Sequence, residues 1–307
     1  MRTVRFFSAI LVLSFSFVSF ARGDFRGPVE VNPPGFDRAK AKVYFPTQYE
    51  SRERWPLVVL LHGFTGTGTS EDLYMLLRFR TSHRGFILVT PEGTANPPGS
   101  ISPTGEDLSG KQFWNATDFC CDFLKTGVDD VKYITKLVDF LSRGYRVDPR
   151  RVYLIGHSNG GFMANRLACE AGEKFAAIAT LAGGSFKNLS ACRRPTPVSY
   201  LQIHAVNDPT VVYGKDPRYA GGLPTVKQWL LKNGCAAYSA IVSRKAPLPL
   251  FVGPELSMRS WSHCSSGQDV ALWTLQSYSG PLYSPHIPTL TWSFSEEVLD
   301  FLLAHSR

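Results

Sequence analysis

A serine stands in the run Gly156-His157-Ser158-Asn159-Gly160, directly after the apolar residues 151–155 and directly before residues 162–168, whose composition suits a helix. A serine hydroxyl is a weak nucleophile until a neighbouring base takes its proton. The G-x-S-x-G spacing is the one in which a strand turns sharply into a helix and projects that hydroxyl into a cleft. The backbone N–H of Asn159, at the helix N-terminus, then faces the carbonyl oxygen that turns negative on attack. A second donor is expected where the apolar run 57–61 ends in His62-Gly63-Phe64-Thr65-Gly66. The N–H of Phe64 is assigned to it, with Thr65 as the competitor, and His62 is read as a hydrogen-bonded structural histidine.

The acid and base of such a set follow the nucleophile in the chain. Asp208 directly follows the strand-like residues 198–204 and is the candidate acid, with Asp216 as the fallback. Three histidines lie downstream of Asp208: His263, His286 and His305. His305 ends a terminal helix read over 295–304 and is expected to be solvent-exposed. His263 precedes the strand-like residues 270–275 and adjoins Cys264. His286 follows that strand through a loop, as a base must to reach the serine, and is assigned to the role. Trp114, Asn115 and Tyr283 are read as candidate substrate-binding residues, with Phe113 beside them, although aromatic residues also serve as core. Asn115-Ala116-Thr117 is in addition a glycosylation sequon.

The elements that must position these residues alternate strand and helix, the order of a mostly parallel sheet with helices on both faces. Strands are expected over 41–49, 57–61, 85–90, 151–155, 198–204 and 270–275. A helix is expected over 129–142, where Asp129 and Asp130 suit the first turn. Residues 91–110, rich in Gly, Pro and Ser, are expected to form a surface loop. With 307 residues, 44% of them hydrophobic, the chain can build one sizeable α/β domain. Arg2 and Arg5 precede an apolar stretch that ends near Ala21 and Gly23, the pattern of a signal peptide cut before Asp24. The expected organisation is therefore a signal peptide over 1–23 and one catalytic domain over 24–307, secreted to the extracellular space or periplasm with no membrane anchor after cleavage. The net charge of +8, less Arg2, Arg5 and Arg22, leaves +5, and without a Lys/Arg run or a nucleic-acid motif this excludes nucleic acid as a partner. Six cysteines in an exported chain suggest disulfides, and none has metal-ligand spacing. Cys169 with Cys192, Cys235 with Cys264, and the vicinal Cys120 and Cys121 are the local candidates; reduced thiols or other partners stay open for the last two. No metal or organic cofactor is implied.

The segments Leu61-His62-Gly63, Phe113-Trp114-Asn115, Cys120-Cys121, Val128-Asp129-Asp130-Val131, 147–153, 156–161, 166–170, Ile203-His204, Asp208-Pro209 and Cys235 with Cys264 together span most of the chain after residue 23. In them the chain resembles the secreted polyhydroxybutyrate depolymerases and feruloyl or acetylxylan esterases of the α/β-hydrolase fold. That resemblance implies a serine carboxylic ester hydrolase with nucleophile Ser158, acid Asp208 and histidine His286. It also implies the pairings Cys169 with Cys192 and Cys235 with Cys264. The substrate implied is a hydroxybutyrate ester or a feruloyl or acetyl ester of plant polysaccharide, small or polymeric. One departure is plain: the family frames its histidine as Gly-Gly-His-x-Trp-Pro, whereas this chain has Ser284-Pro285-His286-Ile287-Pro288. A binding protein that kept the fold without catalysis, and a serine peptidase or acyltransferase with the same triad, are the alternative readings.

Overall fold

The computed structural model describes residues 27–188, 191–192, 196–236, 240–245, 256–262, 264–276, 284–288 and 292–307. In chain order its strands are β1 (Val29–Val31), β2 (Ala41–Tyr44), β3 (Trp55–Leu61), β4 (Ile87–Thr90), β5 (Thr94–Ala95), β6 (Gln112–Phe113), β7 (Val147–His157), β8 (Ala177–Leu181), β9 (Ser199–Ala205), β10 (Ala240–Lys245), β11 (Leu256–Trp261) and β12 (Val270–Leu275). The α-helices are α1 (Gly68–Met75), α2 (Thr81–Arg84), α3 (Asp130–Gly144), α4 (Asn159–Ala171), α5 (Gly222–Asn233) and α6 (Trp292–Leu303). Ten strands form one sheet in the order β1-β2-β4-β3-β7-β8-β9-β12-β11-β10, and β5 with β6 forms a separate ribbon. The six strands from β4 to β12 run parallel, and an antiparallel pair closes each edge.

Every residue of β3, Trp-Pro-Leu-Val-Val-Leu-Leu, is buried, because helices cover both faces of a parallel sheet. Alternate side chains feed two cores. Leu57, Val59 and Leu61 of β3 and Val152 and Leu154 of β7 pack with Tyr133, Ile134 and Leu137 of α3, Phe162, Met163 and Leu167 of α4, and Trp229 of α5. Val58, Leu60, Tyr153 and Ile155 point to the opposite face, where Met75 of α1 and Phe294, Val298, Leu299 and Leu302 of α6 cover them. This two-residue alternation is the pleat of the strands expressed in packing.

The expected helix over 129–142 is α3, with the Asp129 side chain capping it through the Lys132 N–H at 2.9 Å. The expected strand over 41–49 is shorter, ending at Tyr44, and that over 151–155 is longer, running from Val147 to His157. Within the expected loop over 91–110, Thr94–Ala95 pairs with Gln112–Phe113. Three disulfides join Cys120 with Cys121, Cys169 with Cys192, and Cys235 with Cys264. His305 is a correction: its ring is packed against Phe301 and faces Asp269, 3.2 Å from Nε2, with only 15% of its side chain exposed. Among the described residues no helix is long and apolar enough to cross a membrane. The region 1–23 expected as a signal peptide lies outside the described residues.

Because β3, β7, β9 and β12 are parallel, their C-terminal ends share one edge of the sheet. Gly63 and Phe64 follow β3, Ser158 follows β7, Asp208 follows β9 and His286 follows β12. A ligand crevice in an open α/β sheet forms at that edge.

Candidate active site

Ser158 is the hinge between β7 and α4, and the backbone there is held in a region that L-residues rarely adopt, with φ 52° and ψ −117°. Such a conformation costs about 1–3 kcal/mol and persists only where its surroundings impose it. The Ser158 N–H donates to the Leu181 carbonyl at 2.8 Å, and its own carbonyl accepts from the Phe162 N–H at 3.0 Å. The turn is tight enough to demand glycine on both sides. A Cβ on Gly156 would lie 2.2 Å from the Gly160 carbonyl oxygen, and one on Gly160 would lie 2.2 Å from that of Leu61.

The structure brings His286 and Asp208 to this serine. His286 Nε2 is 2.9 Å from Ser158 Oγ, while His286 Nδ1 is 2.9 Å from Asp208 Oδ2 and 3.2 Å from Oδ1. A carboxylate only accepts, so the ring proton sits on Nδ1 and Nε2 is left as the acceptor for the serine hydroxyl. The Asp208 side chain is fully buried and held by further donors. Oδ1 accepts from the N–H groups of Thr210 at 2.8 Å and Val211 at 3.0 Å, and Oδ2 is 3.4 Å from His204 Nε2. The buried His204 donates from Nε2 to the Val211 carbonyl at 2.7 Å and accepts at Nδ1 from Gln202 Nε2 at 3.0 Å. Burial alone would raise the Asp208 pKa, but hydrogen bonds from His204 and His286 outweigh it and hold the carboxyl well below the usual carboxylate range. Asp216 is elsewhere: its carboxylate is clamped by Arg218 at 2.9 Å through both oxygens. His263 lies outside the described residues.

Beside Ser158, where a Cβ on Gly63 would lie 3.5 Å from the serine Cβ, the peptide between Gly63 and Phe64 is oriented by a histidine. His62 accepts the Gly93 N–H at Nε2 (2.9 Å), which leaves the proton on Nδ1 to donate to the Gly63 carbonyl at 2.8 Å. Burial lowers the His62 pKa, consistent with this neutral ring. With the Gly63 carbonyl bound inward, the trans Phe64 N–H points the other way. The Thr65 N–H is consumed by the Gln112 carbonyl at 2.8 Å, which removes the competitor for the oxyanion donor. Asn159 occupies the first helical position of α4, and its buried side chain is engaged apart from its backbone: it accepts from the Trp114 N–H at 2.8 Å and donates to the Trp114 carbonyl at 2.9 Å and to Cys120 Sγ at 3.3 Å.

Of the expected substrate-binding residues, Trp114 is corrected by burial, and Asn115, half-buried, stands away from the serine. Trp114 has no exposed surface; its indole N–H donates to the His62 carbonyl at 3.0 Å and its ring packs on the His62 imidazole, so it supports the end of β3 from behind. Asn115 spends its side-chain amide on the Val128 carbonyl at 2.9 Å and its N–H on Asp130 at 2.6 Å. It borders an open cavity of about 920 Å³ shared with Thr117, Asp122, Lys125, Arg166 and Phe186, a lining that includes none of Ser158, Asp208 or His286. Tyr283 lies outside the described residues. What the sequence reading missed is the support beneath the histidine: Glu71 and Tyr74 of α1, and the ring of His157. The last stood in the open as the variable residue of G-x-S-x-G, but nothing in spacing tells where its ring points. Among the described residues no cluster of three or more His, Cys, Asp or Glu side chains is arranged to hold a metal ion.

Residues 37–192 match the family model described as "Putative esterase". Feruloyl esterase B of Piromyces equi is 24% identical over 248 residues, covering 77% of this chain and 41% of that protein. The bifunctional acetylxylan esterase/xylanase XynS20E of Neocallimastix patriciarum is 22% identical over 225 residues, covering 73% of this chain and 28% of that protein. The chain thus spans well under half the length of these curated relatives. Among solved structures, an acetyl xylan esterase from Aspergillus awamori superposes with a TM-score of 0.60 at 18% identity, covering 90% of this chain and all of the other. A thermostable esterase superposes with a TM-score of 0.57 at 18% identity, covering 92% of this chain and 64% of the other. These likenesses show the fold, which is that of the α/β-hydrolases.

Proposed function

This chain belongs to the esterase family, and from that membership we propose that it is a secreted serine esterase that hydrolyses carboxylic esters through an acyl-enzyme. His286 Nε2 takes the proton of Ser158 as Oγ bonds to the ester carbonyl carbon, and the N–H groups of Phe64 and Asn159 hold the resulting oxyanion. The tetrahedral intermediate expels the alcohol, which receives its proton from His286, and leaves the acyl group on Ser158. Water then adds to the acyl-serine as His286 takes its proton; the C–O bond to Oγ breaks, the carboxylic acid departs and the proton returns to Oγ. Asp208 keeps the imidazole proton on Nδ1 and stabilises the imidazolium formed in both steps. These steps use no metal or organic cofactor.

The observation that carries this reading is the unbroken relay from Ser158 Oγ through His286 to Asp208, with both links at 2.9 Å. For the acyl group, the names of the relatives support a feruloyl or acetyl ester of plant polysaccharide, with a hydroxybutyrate ester as the other candidate from the motifs. Export is proposed from the signal pattern over 1–23, with 24–307 as the mature catalytic domain. The three disulfides support an oxidising compartment. The test is hydrolysis of matched p-nitrophenyl acetate, methyl ferulate, hydroxybutyrate oligomers and an equivalent amide by the purified mature protein. Turnover of esters with little of the amide is the expected result; a folded protein inert toward every ester would overturn the reading in favour of a binding role.

A further inference from the structure

The segment 284–288 that carries His286 is held from below by side chains outside the triad. His157 Nε2 lies 3.0 Å from the His286 carbonyl oxygen, and the Tyr74 hydroxyl donates to the Pro288 carbonyl at 2.7 Å. The other ring nitrogen, His157 Nδ1, is 3.5 Å from Glu71 Oε2. A carbonyl oxygen and a carboxylate both only accept, so His157 satisfies the two contacts together only as an imidazolium with a proton on each nitrogen. Glu71 Oε2 also accepts the Gly63 N–H at 3.3 Å. One carboxylate therefore links the peptide just before the one that presents the Phe64 N–H to the ring that grips the base loop. The Glu71 and His157 side chains are only 6% and 9% exposed, so water does little to screen the pair.

We propose that His157, charged and held by Glu71, is a positioning residue that fixes where the His286 imidazole stands over Ser158, with Tyr74 pinning the far end of the same segment. This rests on the esterase reading for its kinetic consequence but not for its geometry. The charged and titratable groups facing His157 are Glu71 and Tyr74 from α1, Asp208 after β9 and His286 after β12, whose ring centroid is 5.4 Å away. Burial by itself disfavours the imidazolium, but the Glu71 carboxylate, the His286 carbonyl and Asp208 favour it more, and the pKa of His157 is raised. A base displaced by about 1 Å loses roughly a hundredfold in rate while substrate binding is spared.

The experiment compares kcat and KM for p-nitrophenyl acetate in His157→Phe, His157→Gln and Tyr74→Phe, each checked for folding by its melting curve. Phe keeps the ring and removes both donors; the Gln side-chain amide restores a donor toward the His286 carbonyl. The expected result is a loss of kcat of roughly a hundredfold in His157→Phe with KM within about twofold, a recovery of about tenfold or more in His157→Gln, and a loss of several-fold in Tyr74→Phe. A folded His157→Phe with kcat within about threefold of wild type, or a His157→Gln no faster than His157→Phe, overturns the proposal. A second measurement needs no turnover and no folded His157 variant: the NMR titration of the His157 ring in wild type and Glu71→Gln. A midpoint above about 6.5 that falls on removing the carboxylate supports the charged bracket. A wild-type midpoint at or below that value overturns it. An inert wild type with a raised His157 midpoint would count against the esterase reading alone.

Discussion

Replacing Asp208 by Asn keeps the shape of the site and reverses its proton logic. Oδ1 accepts from two backbone N–H groups, Thr210 at 2.8 Å and Val211 at 3.0 Å, so the amide oxygen of the variant takes that position. The amide NH2 then replaces Oδ2, where it faces His286 Nδ1 at 2.9 Å and the donating Nε2 of His204 at 3.4 Å. A donor facing Nδ1 moves the His286 proton to Nε2, which then has no lone pair for the Ser158 hydroxyl 2.9 Å away. The wrong tautomer in a triad of this geometry costs on the order of 10⁴ in kcat, equivalent to about 5.5 kcal/mol of activation free energy. Steady-state hydrolysis of p-nitrophenyl acetate by Asp208→Asn, beside a melting curve, measures it. A folded Asp208→Asn that retains more than about a tenth of wild-type kcat would refute the assignment of the proton to Nδ1.

Three further outcomes follow from other parts of the molecule. Arg38→Met removes the guanidinium 2.7 Å from the fully buried Asp130, whose pKa burial already raises, and should lower stability by about 3 kcal/mol or more; urea unfolding reads it. The double substitution Cys169→Ala and Cys192→Ala opens a crosslink spanning 23 residues and should cost about 3 kcal/mol, with ester turnover unchanged, again by urea unfolding. The raised pKa of His157 means that its contribution to stability is complete below its ordinary value of 6.5 and is lost as pH rises through the folded value. The melting-temperature difference between wild type and Glu71→Gln should therefore be largest near pH 6 and shrink toward pH 9; a difference that grows over that range would show the sign to be wrong.

The elements that carried strong local signals are the ones legible in the sequence. The run Leu57 to Leu61 had to be a buried strand, and the glycines around Ser158 had to permit backbone packing so close that a Cβ there would stand 2.2 Å from a carbonyl oxygen. The order of serine, acid and base along the chain narrowed the histidine to three residues, and the segment after β12 brings His286 to the serine even though its sequence frame departs from the family's. The helix α1 was not legible, because Gly68-Thr69-Ser70-Glu71-Asp72-Leu73-Tyr74-Met75 shows no helical apolar period; a Thr67 cap through the Ser70 N–H starts it. With α1 hidden, the meeting of Glu71 and Tyr74 with His157 and the His286 segment was hidden too, since it joins residues 83 to 214 positions apart. The strand β11 escaped notice because five of the six residues Leu256–Trp261 are not fully buried and leave only a weak alternation. Trp114 was misread because an aromatic beside a polar loop looks the same in sequence whether its indole faces substrate or, as here, the His62 carbonyl at the end of β3.

The central claim is that Ser158 is the nucleophile that becomes acylated, and the most direct test is to label it with a reagent whose phosphorus takes the place of the ester carbonyl carbon and whose fluoride leaves. Wild-type protein is incubated with a fluorophosphonate ester, and its intact mass and peptide map are recorded beside those of Ser158→Ala, together with p-nitrophenyl acetate turnover. The account predicts one adduct per chain, located on Ser158, with turnover lost in step with labelling and both absent from folded Ser158→Ala. An adduct on another residue, or turnover that survives in Ser158→Ala, would contradict it.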